Sequence, residues 1–406
     1  MEGSAARRVL LACFEAGLVA ADPEAAVRRS IGPIPGRVVV LALGKAAPAM
    51  ARGAAAALRR PNLEGLVVSN HDEEIPPGLT MVIGSHPVPD RRSHDAGVAL
   101  LDLATTLGPD DTALVLISGG GSALAVAPVP GVSLADLAAT NQLLLRSGAD
   151  IVATNAVRRR LSLLKGGGLS AAAHPARIIT LAISDVVGDL PEVIASGPTV
   201  AIDDDTDAAV RVVERLGIAA DLPASVLAAL RAPASARRIV HGDYRIIAGA
   251  AAAAHAAATA GEGLGLPATV VDTRMTGDAG AVAGEVLRRS GRGLSVFAGE
   301  TTVDVTGCGR GGRNQEAALV VATLLEGTSG TWFLAAGTDG IDGSTQAAGA
   351  IVDGGTIERG RRAGLDAVAA LDANDSGSFF AELGEQIVTG PTGTNVGDLW
   401  LVVRDT

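Results

Sequence analysis

The sequence predicts an α/β protein of two three-layer α/β/α lobes with largely parallel sheets. Three observations predict it. Short β-branched apolar runs alternate with helical patterns along most of the chain. Those runs end repeatedly in loops of Gly, Ser and Asp, the composition found at the carboxyl ends of strands in open α/β sheets. At 406 residues, the chain exceeds what one core normally holds, and two domains follow.

Taken in order, Val9, Cys13, Phe14 and Leu18 share one face of an amphipathic first helix. Arg37 to Leu43 is a strand, and Gly44-Lys45 leads into a helix with Pro48 in its first turn. Strands follow at Gly65 to Asn70 and Thr80 to Gly84. Asp90 caps a helix over Arg91 to Leu107, and the strand Thr112 to Ile117 ends in Ser118-Gly-Gly-Gly-Ser122. Helical patterns cover Ser133 to Ser147 and Asp150 to Leu164. The strand Arg177 to Ile183 then stops at Ser184-Asp185, and Asp189-Leu-Pro-Glu192 has the form of a helix start. A helical bridge runs from Asp203 to about Val240, with Pro223 and Pro233 as breakers. A second series of strands lies at Tyr244 to Ile247, Ala268 to Val271, Leu294 to Ala298 and Thr331 to Ala336. The expected domains are 1–234, with a Rossmann-like N-terminal sheet, and 235–406.

Composition excludes several functions. Aromatic residues are 2% of the chain and the net charge is −11, so neither a stacking platform nor a basic face for nucleic acid exists. Two cysteines cannot form a disulfide framework, and the six histidines show no His-Glu-x-x-His spacing. No apolar run reaches the ~18 residues of a membrane span. A cytoplasmic location is expected, with no nucleic-acid or membrane partner.

The chain has two lysines, Lys45 and Lys165, each beside glycine. Arg carries the ordinary surface charge, which leaves Lys for places that need a compact ammonium. Lys45 starts a helix, where a cation opposes the dipole unless an anion is present. Ser118 to Ser122 can turn backbone N–H groups toward an anion or serve as a flexible turn. Arg310 and Arg313 stand in Gly307-Cys-Gly-Arg-Gly-Gly-Arg313 at a helix start, where helix-terminal N–H groups and bidentate guanidinium donors would form an anion receptor. Asp185 and Asp189 lie beyond a strand end. Asp339 and Asp342, in Gly337-Thr-Asp-Gly-Ile-Asp-Gly343, suit Mg²⁺ or successive turns. His86 orients substrate or is an ordinary loop histidine. No Walker loop and no Gly-x-Gly-x-x-Gly occurs.

These motifs, read together, resemble the glycerate 2-kinase (class II glycerate kinase) family, whose C-terminal part is called MOFRL. The landmarks are Gly44-Lys45-Ala46, His86-Pro-Val-Pro-Asp90, Ser118-Gly119-Gly120-Gly121-Ser122, Lys165-Gly166-Gly167, Ser184-Asp185, Gly188-Asp189 and Ser196-Gly-Pro-Thr199. They continue in Gly299-Glu-Thr-Thr302, Gly312-Arg313-Asn314-Gln-Glu316, Gly337-Thr338-Asp339-Gly340 and Thr389-Gly-Pro-Thr-Gly-Thr-Asn395. The resemblance covers nearly the whole chain. It implies ATP-dependent phosphorylation of D-glycerate at its 2-hydroxyl, with Mg²⁺ or another divalent cation, in a cleft between two lobes.

Under that resemblance Lys45 and Arg313 are the residues tied to catalysis, with Asp189 as base or metal ligand. Asp185, Asp189 and Asp339 are the metal candidates. Substrate and nucleotide contacts fall to Ser118, Gly119, Gly120, Gly121, Ser122, Lys165, Gly166, Gly167, Arg310, Asn314, Glu316, Thr338 and His86. Family members usually have Pro where this chain has Val187, and often Asp or Glu where it has Leu190, so the loop geometry there is its own. The partners expected are glycerate and ATP, and a homodimer is the expected form of any oligomer. Some relatives carry the name hydroxypyruvate reductase, which makes an NAD(P)H-dependent reductase the alternative.

Overall fold

The computed structural model describes residues 2–60, 62–200, 207–233 and 240–405. Six strands build the first sheet: β1 (Val38–Leu43), β2 (Glu64–Ser69), β3 (Leu79–Ile83), β4 (Thr112–Ile117), β5 (Arg177–Ile183) and β6 (Asp243–Ala248). Their order is β3-β2-β1-β4-β5-β6, and the pairings from β3 through β5 are parallel. Every residue of β1 and β4 is buried. That follows from sequence, because a strand covered on both faces reads as an unbroken apolar run rather than an alternating one. The order reverses between β1 and β4, since the chain winds outward to one side through β2 and β3 and then returns. Such a switch point opens a crevice at the carboxyl ends of the two central strands.

The second sheet contains β7 (Ala268–Asp278), β8 (Gly293–Thr302), β9 (Thr331–Gly337), β10 (Gly349–Asp353), β11 (Gln386–Ile387) and β12 (Asp398–Arg404). Its order is β11-β10-β9-β12-β8-β7. Only β7 and β8 pair in parallel, and the other four pairings are antiparallel. The expectation of two largely parallel sheets is therefore corrected for the second one. The cause is two runs absent from the expected strands: β12 inserts between β8 and β9 in the opposite direction, and β10 runs antiparallel to β9 and β11.

Alternation along β12 divides the second core in two. Trp400 and Val402 pack with Phe297, Phe333 and the helix Arg313–Leu325. Leu399, Leu401 and Val403 face the other way, against Leu10, Phe14 and the helices Gly3–Ala20 and Ala250–Gly263. Helices on both faces of a mixed sheet give the expected three layers. With so few aromatics, alanine brings helix and sheet close enough to exclude water, and the Phe333–Trp400 edge-to-face pair at 5.7 Å fills the one wide gap.

The compact units are not consecutive stretches. One comprises residues 23–184 and 189–247, the other residues 1–22, 185–188 and 248–406. The boundary expected between residues 234 and 235 lies outside the described residues, as do the start of the helical bridge at 203–206 and residues 234–239. Within the bridge, Ala208–Arg215 and Ala224–Arg231 are helical and pack on the helices Leu134–Arg146 and Ile151–Arg160 as a small separate core. The helix expected to start at Asp189 does not form. The only regular structure there is a single 3₁₀ turn, Ile194–Ser196.

The first helix thus belongs to the core of the second sheet. Phe14→Ala would open a cavity among Leu399, Leu401 and Ala254, at a cost of about 3–5 kcal/mol. Hydrogen exchange should then quicken across β8, β9 and β12 and leave β1 and β4 unchanged. Equal acceleration in both sheets would contradict the assignment.

Candidate active site

The crevice of the first sheet is set by one close approach. Gly44, directly after β1, has φ +131°, and a Cβ there would stand 2.2 Å from Ser118 Oγ and 2.6 Å from the Ser118 carbonyl oxygen. Glycine alone fits. The contact is fixed by Lys45 N–H donating to the Gly119 carbonyl at 2.9 Å and Ala46 N–H donating to Ser118 Oγ at 3.0 Å. The loop is thereby turned so that the N–H groups of Gly119, Gly120, Gly121 and Ser122 have no partner among the described residues. Gly120, at φ +82°, packs where a Cβ would meet His86 Cδ2 at 3.2 Å and Lys45 Cγ at 3.3 Å. Lys45, His86 and four free N–H donors therefore share one place. Partial burial, and then the neighbouring Lys45 ammonium, hold the His86 imidazole below its ordinary pKa, so it is neutral at pH 7 and free to donate or accept.

A second ring of contacts stiffens this loop. Ser122 Oγ lies 2.8 Å from Ser196 Oγ, which donates to Asn155 Oδ1 at 2.9 Å. Lys165 Nζ donates to the Ser122 carbonyl at 2.8 Å. Gly166 and Gly167 give their N–H groups to the carbonyls of Ser196 and Gly197, so these two glycines tie loops together and offer no backbone donor to a ligand. Ala195 and Ser196 take left-handed φ of 50° and 61°, a conformation costing about 1–3 kcal/mol at a non-glycine residue and held only by its surroundings.

Asp189 also has a left-handed φ, 53°. It caps no helix, and its Oδ1 is buried without a hydrogen-bond partner. Of the two readings its sequence left open, capping is removed.

The second unit treats its motifs differently. Glycines at 307, 309, 311 and 312 admit the segments Ala373–Gly377 and Asp342–Ser344, whose atoms would lie 2.1–2.5 Å from any added Cβ. Five of the loop's N–H groups are consumed in the process. Those of Thr306 and Gly307 go to Asn374 Oδ1, that of Gly309 to the Ala373 carbonyl, that of Arg310 to Asp375 Oδ1 and that of Gly311 to Ser344 Oγ. At the start of the helix Arg313–Leu325, Asp342 accepts the N–H groups of Asn314 and Gln315 at 3.0 and 2.8 Å. A buried carboxylate thus fills the dipole end that the sequence offered to an external anion. The anion receptor expected of this backbone is reduced: its side chains remain, but among its N–H groups only those of Cys308, Gly312 and Arg313 have no partner among the described residues.

Arg313 is about one quarter exposed and is held by Asp398, with Nε 2.9 and 2.8 Å from the two carboxylate oxygens and Nη2 2.8 Å from Oδ1. Asp398 was not foreseen. Its only signal was a carboxylate just before the apolar run Leu399 to Val403. Burial of its carboxyl raises the pKa of Glu300, helped by Asp398, Asp185 and Asp339 and opposed by Arg313.

The remaining candidates make protein contacts. Asn314 donates to Asp398 and accepts from Trp400 Nε1 at 2.7 Å. Thr338 Oγ1 donates to the Gly397 carbonyl, and Glu316 accepts from Asn374. Asp339 Oδ1 accepts from Ile341 N–H, an ordinary turn bond. The Arg310 side chain is exposed and lines a cavity of about 190 Å³ with Gln346, Ser378 and Gln386.

Lys165 is 6% exposed, and its pKa falls to about 7, through burial first and then Arg158. A depressed lysine pKa means the unfolded chain, titrating near 10.4, binds more protons between pH 7 and 10. The penalty of a buried ammonium is full below pH 7 and fades as pH rises. Lys165→Met should therefore raise the melting temperature most at pH 6, with the gain shrinking toward pH 10. A gain independent of pH would refute the depressed pKa.

Comparison with known proteins identifies two family regions in the chain. A family described as a domain of unknown function, DUF4147, matches residues 9–231, and the MOFRL family matches residues 293–398. A protein of Agrobacterium vitis, provisionally named a hydroxypyruvate reductase, is 43% identical over 97% of this chain and 93% of its own. The D-glycerate 2-kinase of Thermotoga maritima is 35% identical over 97% of each chain. A crystal structure of a glycerate kinase from Thermotoga maritima superposes with a TM-score of 0.90 at 32% identity, covering 99% of this chain and 100% of that one. With both regions present in order and relatives of this kind over its full length, the chain belongs to the MOFRL-containing glycerate 2-kinase family.

Proposed function

We propose that this protein transfers the γ-phosphoryl group of ATP to the 2-hydroxyl of D-glycerate, giving 2-phospho-D-glycerate and ADP. The observation that carries the reading is the row of four unpartnered N–H groups at 119–122, grouped with Lys45 and His86 at the switch point of the first sheet. Phosphoryl transfer asks mainly for positioning and for neutralisation of oxyanions. Fixed N–H donors and a compact ammonium supply both without reorganising during the reaction.

In this reading Lys45 and the 119–122 donors hold phosphate oxygens, and His86, neutral, hydrogen-bonds the bound substrate. Arg313 meets the migrating phosphoryl group. Asp189 takes the proton of the 2-hydroxyl as its oxygen bonds to the γ-phosphorus and the β–γ bridging P–O bond breaks. Among the described residues no three His, Cys, Asp or Glu side chains are grouped to cage a cation. A divalent ion fits only as one that arrives on the nucleotide and keeps water and phosphate oxygens as most of its ligands, as Mg²⁺ does. The open Oδ1 of Asp189 is the protein oxygen best suited to it. When bound, the ion would neutralise charge on the phosphates.

The name given to the Agrobacterium relative favours a second reading, reduction of hydroxypyruvate. The turn after β1 speaks against it, since Gly44-Lys45 lacks the second and third glycines that let a dinucleotide pyrophosphate approach a helix. Phosphorus NMR of purified protein with D-glycerate, ATP and Mg²⁺ separates the outcomes. A 2-phosphoglycerate signal is expected, and NADH oxidation by hydroxypyruvate with no ATP turnover would overturn the proposal.

Lys45→Ala should lower kcat/KM by about 10²–10³-fold, the usual cost of one oxyanion donor, with little change in melting temperature. If Arg313 serves the same phosphoryl group, the Lys45→Ala, Arg313→Ala double variant loses less than the product of the two single losses. Wild-type turnover in Lys45→Ala would remove the kinase assignment.

Asp189→Asn should cut kcat strongly at saturating Mg²⁺ while the fold persists, because no helix depends on that residue. Turnover close to wild type would exclude it as the base.

A further inference from the structure

We infer that Asp398 is a positioning residue for the phosphoryl transfer, fixing which edge of Arg313 faces the substrate. The inference rests on the reading that Arg313 meets the phosphates of the nucleotide. A guanidinium has five N–H donors in one plane. In this protein Nε–H is shared between both oxygens of Asp398, and Nη2 stands 2.8 Å from Oδ1 as an ion pair. Nη1 has no partner among the described residues. The two Nη1 donors therefore remain, along the end of the fork. The side-on edge, which ordinarily clamps a carboxylate or phosphate bidentately, is spent inside the protein.

Asp398 is itself rigidly placed. It begins β12, between Gly299 of β8 and Gly337 of β9. Besides Arg313 it accepts from Thr301 N–H and Thr301 Oγ1, both at 3.0 Å, and from Asn314 Nδ2 at 2.9 Å. Asn314 is pinned in turn by Trp400 Nε1 and by Asp342. A side chain as long as arginine is thus held to one orientation by a carboxylate anchored in the centre of a sheet. Release of that grip leaves the charge in place but lets it swing, and misplacement by about 1 Å is enough to cost about 10²-fold in rate.

The test compares Asp398→Asn, Arg313→Ala and the double variant. Asp398→Asn should lower kcat/KM by about 10²-fold in the parent chain and cause no further loss in the Arg313→Ala background. A merely structural role would cost the same factor in both backgrounds, and that result overturns the inference. The same cycle read on ATP affinity by calorimetry needs no turnover. Wild-type protein that fails to phosphorylate glycerate therefore sinks the kinase reading alone, whereas an additive cycle in ATP affinity sinks the Asp398 assignment.

Should Asp398→Asn not fold, Arg313→Ala decides by rescue. Added guanidinium, a planar fork that matches the two Asp398 oxygens, should restore part of the activity, and ammonium at equal concentration should not. Equal rescue by the two cations, or rescue by neither, overturns the assignment.

Discussion

A carboxylate taken out of water keeps its charge only if enough donors point at it. The second unit is arranged around two such groups. Asp342 accepts from the main chain and side chain of both Asn314 and Gln315, and Asp398 accepts from Arg313, Asn314 and Thr301. Both meet at Asn314, so the start of one helix, the edge of a strand and the loop 337–343 cannot shift independently. Glycines at 307–312 follow from this constraint, because the segments that deliver the acceptors must run in backbone contact with the loop.

The first unit solves the opposite problem. Where the second engages most of the N–H groups of its glycine loop, the loop after β4 leaves four open, and the tight crossing at Gly44 and Ser118 is what aims them. Lys45 sits at the same place with a small, strongly hydrated charge. The surrounding contacts among Ser122, Ser196, Asn155 and Lys165 are polar and mostly buried, which resists collapse of the loop when no anion is bound.

Much of this was readable from residues. Unbroken apolar runs at Val38 to Leu43 and Thr112 to Ile117 mark strands buried on both faces, and the Gly-rich turns after them mark the crevice. Lys45, His86 and the 118–122 loop come together as their motifs suggest. The misreadings share one cause. Glycine and aspartate signal a backbone doing something unusual, but not for whom. At 119–122 the backbone N–H groups have no partner among the described residues, while at 307–312 another glycine-rich run serves contacts with segments about 30 to 70 residues away. Asp189 reads as a cap because Pro191 and Glu192 follow it, yet its backbone is left-handed and no α-helix follows it. Asp398 showed locally only as a carboxylate before an apolar run, since its partners lie on β8 and on the helix Arg313–Leu325.

The division of the chain has a consequence for how the protein is made. The helix Gly3–Ala20 is synthesised well before its partner helix, because its apolar face packs against Ala250–Gly263, more than 200 residues later. At about 5–20 residues per second, Leu10 and Phe14 wait on the order of 10 to 50 seconds for their neighbours. During that interval the first sheet can close its own core, and the early helix is left as an unpartnered amphipathic segment. Its apolar face is covered only once Ala250–Gly263 has been made.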